Sequence, residues 1–204
     1  MSDAVLRFVT DFGDQAVILP VALAVALTLA LHRRLRLAAT WLVAVAGVLG
    51  GTLILKVACY ASSVLVHSPL IHRLGLESPS GHVASAAIVY GGLLAIVTPA
   101  TAGRPRPATS WAFVAPSCIA AIVAVTRVQL GEHSVADVVV GAALGVGGAV
   151  AFAVLACPEV DRMEGARLTG VALLLVVLLH GLHFDVEQAI RTLTVATARD
   201  WTTK

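Results

Sequence analysis

The chain has 204 residues, 58% of them hydrophobic and 13% charged, with a mean hydropathy of +0.92. A soluble domain carries roughly a quarter charged residues, so this composition excludes an ordinary soluble globule and marks an integral membrane protein. A formal net charge of +2 is too small to bring nucleic acid in as a partner, and three cysteines (Cys59, Cys118, Cys157) are too few and too scattered for a disulfide framework.

Six apolar runs follow in chain order: Ala16 to Leu31, Leu37 to Val57, Val83 to Ala100, Trp111 to Val125, Val135 to Ala156, and Leu168 to Leu182. The segment before the first run holds Asp3, Asp11 and Asp14 rather than a basic start, so that run is expected to be a retained span and not a cleaved signal. Lipid cannot satisfy backbone polar groups, so each run must be a helix. Several are shorter than the ~20 residues that cross a bilayer upright, and their ends must extend into the flanking polar residues. The expected fold is all-α, a polytopic bundle of six transmembrane helices forming one membrane-embedded domain over residues 1–204. Cys118 falls in mid-span, where a small buried apolar residue is expected.

The connections set the orientation. The segments after runs one, three and five, at residues 32–36, 103–107 and 161–167, hold seven of the fourteen Lys and Arg residues. The positive-inside rule assigns them to the cytoplasm. Both termini then face outward, together with Lys56, Arg73 and Arg127. Gly141 and Gly145 form a GxxxG pair, which serves either a homodimer interface or close packing within the bundle.

Polar residues at the outer ends of these runs form two motifs. Pro79-Ser80-Gly81-His82 opens the third run; its glycine lets an anion approach the backbone, and a helix N-terminus supplies N–H groups to hold one. Arg127, His133 and Asp137 are spaced R-x5-H-x3-D at the start of the fifth. There an aspartate can fix one imidazole nitrogen while the other reacts, and the arginine offers a planar fork to phosphate oxygens. Either motif alone is explained by capping or by an interfacial side chain. Their arrival at one membrane face is not predicted by independent structural accidents.

In this order the residues resemble the type 2 phosphatidic acid phosphatase superfamily, whose signature is K-x6-RP, PSGH and SR-x5-H-x3-D. The second element matches in full at Pro79–His82. The third matches at Thr126-Arg127, His133 and Asp137, with threonine for serine. The resemblance covers a core signature region over residues 56–148. The first element is damaged: Lys56 is in place, but Ser63 and Val64 stand where arginine and proline are usual. Arg73 is the candidate to restore the missing charge from the following loop.

The resemblance implies catalysis by His133, Asp137 and His82. His133 would be the phosphohistidine nucleophile, Asp137 its orienting acid, and His82 the proton donor to the leaving group. It implies phosphate binding by Lys56, Ser80, Gly81 and Arg127, with no metal and no cofactor. The substrate would be a lipid phosphate or pyrophosphate entering from the bilayer, such as undecaprenyl pyrophosphate, phosphatidylglycerol phosphate or phosphatidic acid. The protein would sit in the cell inner membrane with its site on the periplasmic face. A lipid phosphotransferase using the same intermediate and a non-catalytic lipid-phosphate binder are the alternatives. The segment from Phe184 to Lys204 mixes apolar and charged residues as a surface helix or a frayed tail would.

Overall fold

The computed structural model of the protein describes residues 2–65, 75–98, 108–156, 160–184, 188, 190 and 192–194. Regular structure among them is entirely helical. A short helix α1 (Asp3–Thr10) leads through a tight turn (Asp11–Gly13) into α2 (Gln15–Leu31). There follow α3 (Leu35–Leu65), α4 (Gly81–Val97), α5 (Ala108–Gln129), α6 (Val135–Ala156) and α7 (Arg162–Leu179). The six expected runs fall one to each of α2–α7. Their ends differ where polar residues continue a helix: α3 runs past Val57 to Leu65, and α4 begins at Gly81, before the apolar run.

Among the described residues, four segments are long and apolar enough to cross a membrane: Asp3–Leu31, Leu35–Ser62, Trp111–Gln129 and Val135–Ala156. Helix α4 is apolar but has 17 residues, and α7 carries Arg162, Glu164 and Arg167 in its first turns. Outward faces are apolar: Leu23 and Leu27 on α2, Val43 and Ile54 on α3, Ile122 on α5, Val139 on α6, and Val177 on α7 are all exposed. An exposed apolar belt on this scale is what lipid contact requires and what water would not tolerate.

Helix α4 is the hub. Residues 83–89 are all buried, and α3, α5, α6 and α2 pack around it. Small residues allow the close approach. A Cβ at Gly145 would stand 2.5 Å from the Ala84 carbonyl oxygen, and one at Gly141 the same distance from that of Ser80. The GxxxG face of α6 is therefore spent on α4, inside the bundle. Gly91 receives Pro116 of α5, and Gly92 receives the Trp41 ring of α3. Trp41 meets Phe152 edge-on at 5.4 Å and donates from Nε1 to the Ala22 carbonyl at 2.9 Å, joining α3, α6 and α2. Cys118 corrects the expectation made for it. It is exposed on the outward face of α5, because a small residue that lipid tolerates carries no hydropathy signal of its direction.

Two of the three basic segments meet at one end, where Arg34 pairs with Glu164 at 3.2 Å and Arg167 approaches His32 at 3.4 Å. Asp14, at the other terminus of α2, lies at the opposite end, with the two motifs. Residues 103–107, Arg73 and most of the segment after Phe184 lie outside the described residues.

Candidate active site

The turn between α5 and α6 explains the spacing of the third motif. Helix α5 ends at Gln129, and Gly131 adopts φ +69°, a left-handed conformation that glycine takes without strain. The chain then folds back so that the Glu132 and His133 N–H groups both donate to the Arg127 carbonyl, at 3.1 and 3.4 Å. Five residues between Arg127 and His133 are the length of this reversal. His133 stands in the turn and not on the helix, which begins at Val135. Ser134 caps that helix. Its Oγ accepts from the Asp137 N–H at 3.1 Å, while its own N–H donates to Asp137 Oδ2 at 3.1 Å. This reciprocal box, with aspartate in the usual glutamate position, aims Asp137 back at His133.

Asp137 is the tie of the site. Its Oδ1 accepts from the Ser78 and Glu77 N–H groups at 2.8 and 3.0 Å, and its main-chain carbonyl accepts from Ser80 N–H at 3.0 Å. Its Oδ2 lies 3.6 Å from His133 Nδ1. The two motifs therefore meet, through one buried carboxylate 2% exposed. The Ser134 hydroxyl adds a bond to the Gly75 carbonyl at 2.6 Å, closing the loop from the other side.

Lys56 reaches the same place from α3. It is buried, and its Nζ donates to Ser78 Oγ at 2.9 Å. A Cβ on Gly81 would lie 3.6 Å from Lys56 Cε, so the absent side chain leaves room along the lysine stem. Pro79 precedes α4 and does not open it. The N-cap is Ser80, whose hydroxyl makes no capping bond. That hydroxyl is fully buried and has no hydrogen-bond partner among the described residues. A buried hydroxyl left in this state costs free energy, and a phosphate oxygen would satisfy it.

Arg127, 7% exposed, pairs through Nη1 with Glu132 Oε2. The other oxygen of Glu132 stands 3.8 Å from Arg7 of α1. His82, one residue into α4, turns its Nε2 toward Asp14 Oδ2 at 3.6 Å. Of the residues expected to form the site, Lys56, Ser80, Gly81, Arg127, His133 and Asp137 are thus linked by direct contacts, and His82 adjoins Gly81. The Ser63 side chain and Arg73 lie outside the described residues.

Four participants went unassigned in the sequence. Ser78 bridges lysine and aspartate, Ser134 caps, Glu132 holds Arg127, and Asp14 faces His82. Only Ser134 carried a usable signal, the S-x-x-D pattern before an apolar run.

The fold is that of a helical membrane protein with a buried polar site at one end, where Lys56, Arg127 and two histidines meet carboxylates. The PAP2 superfamily profile matches residues 57–160, just over half of the chain, and the protein belongs to that superfamily. Membership supports phosphatase-type chemistry, the hydrolysis of phosphoesters in general. No curated protein and no solved structure matches the chain.

Proposed function

We propose that the protein is a lipid phosphate or diphosphate phosphatase of a cell inner membrane, working at the outer face through a phosphohistidine on His133. The observation that carries this reading is the Asp137 carboxylate, which binds both motif loops and still faces His133 Nδ1 at 3.6 Å. With Nδ1 turned to Asp137, His133 meets phosphorus through Nε2. The carboxylate supports the positive ring as the N–P bond forms. His82 gives a proton to the leaving oxygen as the P–O bond breaks. Water then attacks the phosphohistidine, His82 takes up the proton that water loses, and inorganic phosphate departs with His133 restored.

Lys56, Arg127, Ser80 Oγ and the first N–H groups of α4 hold the nonbridging oxygens. Substrate phosphate displaces Glu132 from Arg127. A lipid substrate is supported by the apolar belt around the bundle and by the position of the site at one end of the helices. Six crossings, a single domain over residues 1–204, and an outward-facing site belong to the same reading. The meeting of two basic segments at the far end of α2 supports that orientation.

The test is phosphate release by purified protein in detergent micelles from undecaprenyl diphosphate, phosphatidylglycerol phosphate and phosphatidic acid. Wild type should turn over at least one, and His133→Ala none. Brief exposure to phosphorus-labelled substrate should leave acid-labile, base-stable label on wild type alone. A fully active His133→Ala overturns the mechanism. A protein that binds lipid phosphate without hydrolysing any overturns the function. Asp137 is the poorer probe, because removing it also strands three backbone donors at about 1–3 kcal/mol each.

A further inference from the structure

Asp14 lies outside both motifs and outside the segment matched by the family profile, yet it is 4% exposed and faces a histidine of the site. Its Oδ1 caps α2, accepting from the Ala16 N–H at 2.8 Å, and also accepts from the Phe184 N–H at 3.3 Å. Capping is complete with that one oxygen. Oδ2 is left pointing at two imidazoles, His82 Nε2 and His183 Nδ1, each 3.6 Å away.

The segment that carries Asp14 is strapped along one face of α4. A Cβ at Gly13 would meet His82 at 3.0 Å, Ser85 Oγ donates to the Gly13 carbonyl at 3.2 Å, and the Tyr90 hydroxyl donates to the Phe12 carbonyl at 2.8 Å. The approach of Asp14 to His82 is therefore fixed at several points.

We propose that Asp14 is the positioning residue of His82, making a second His–Asp pair beside His133–Asp137. The proposal rests on the phosphatase reading above and adds to it a residue from the N-terminal segment. With Nε2–H turned to Asp14, His82 keeps its transferable proton on Nδ1. The carboxylate stabilises the imidazolium until the leaving oxygen takes that proton along with the electron pair of the broken P–O bond. In the second half-reaction it favours recapture of the proton from the attacking water. Other charged groups act on the pair as well. Asp11 shares His183 with Asp14, at 3.7 Å. From α3, Lys56 passes Gly81; from the end of α5 comes Arg127, and from the α5–α6 turn and α6 come Glu132, His133 and Asp137.

The experiment compares substrates that need an acid with one that does not. Phosphatidic acid must expel diacylglycerol, an alkoxide leaving group that requires a proton, whereas 4-nitrophenyl phosphate releases a stable phenolate. Asn and Ser cap helices as well as Asp does, so Asp14→Asn and Asp14→Ser remove the charge and keep the cap. Each should lose about a hundredfold in kcat/KM, which covers the steps up to departure of the leaving group, on phosphatidic acid and less than about threefold on 4-nitrophenyl phosphate, the pattern expected when general acid catalysis is removed. The alkaline limb of kcat/KM should move to lower pH. The double variant Asp14→Asn with His82→Asn should be no slower than His82→Asn alone, since both act through one group. Equal losses on the two substrates in both Asp14 variants, or no loss on either, would overturn the role of Asp14 while leaving the phosphatase reading intact. A wild type inert on 4-nitrophenyl phosphate and on all three lipid phosphates named above overturns that reading, and the pairing with it.

Discussion

Glu132 occupies the guanidinium that a phosphate would need. Arg127 is buried and Glu132 is about one-third exposed, so the carboxylate can swing to water when an anion arrives while the arginine stays. In the resting site Glu132 thus neutralises a charge that would otherwise sit poorly solvated at the membrane edge, and under the proposed function it competes with substrate. Glu132→Gln should lower KM for the lipid phosphate by about three- to tenfold, as the loss of one charge-assisted contact allows, with little change in kcat. Steady-state kinetics on both proteins check this. A raised KM would mean that Glu132 orients Arg127 instead. The residue scale is also where sequence reading reached least evenly. Lys56, His82, Arg127, His133 and Asp137 stood out because a polar residue ending an apolar run has a signal of its own. Glu132 and Asp14 did not, because each acts through a contact made by folding, between α1, the α5–α6 turn and α4.

At the scale of elements, the α4–α6 contact positions the chemistry. The Ser80 main chain bonds to Asp137 at the top of this contact, and Gly141 and Gly145 set the spacing below it. A methyl group at Gly145 would fall 2.5 Å from the Ala84 carbonyl and 2.7 Å from Ala87 Cβ. Gly145→Ala should therefore cost about 1–3 kcal/mol by overpacking and reduce activity as the helices part. Gly147 faces open space; Gly147→Ala should be neutral or stabilising by up to about 1 kcal/mol, since alanine is the better helix former. Thermal unfolding in detergent and phosphate release, measured on both variants, separate the two outcomes. Helix existence was legible from hydropathy at all six runs; helix ends were not. The apolar run of α3 stops at Val57, but Ala58 to Leu65 contain no proline or glycine, and the hydrogen-bonded ladder continues. Hydropathy marks where lipid ends, and the backbone stops by other rules. The same distinction moves His133 off α6 and into the turn before it, although its spacing from Asp137 fits a shared helical face.

For the whole molecule, the orientation in the membrane is a prediction with two clear markers. Phe184 is exposed beside Asp14 at the site end, and Arg33 lies in the α2–α3 turn at the other. In a background with Cys59, Cys118 and Cys157 replaced, Phe184→Cys should react with a membrane-impermeant maleimide in intact cells. Arg33→Cys should react only after permeabilisation. The reverse pattern would turn the site to the cytoplasm. The positive-inside count alone is even, because Lys56, Arg73 and Arg127 together with Arg7, Arg191, Arg199 and Lys204 of the terminal segments are assigned to the other side. The folded chain separates the two kinds of charge: those of α2–α3 and α7 cluster at one end, and Lys56 and Arg127 are buried at the other.

Helix α3 adds a ruler to this arrangement. At about 1.5 Å per residue, Lys56 stands about 32 Å along the axis from Leu35, close to the ~30 Å depth of a bilayer's hydrocarbon. The remaining turns to Leu65 rise about 14 Å further, through the headgroup layer. An upright α3 that begins at one hydrocarbon boundary delivers its ammonium to the other, at the height where phospholipid phosphorus resides. Lys56 cannot follow a substrate up or down, because its nitrogen is bonded to Ser78 and its helix is packed on α4 and α6. The site is thus set at a fixed altitude. Under the proposed function it would select among amphiphiles by how far their phosphorus floats above the acyl tails, before any contact with the headgroup has been made.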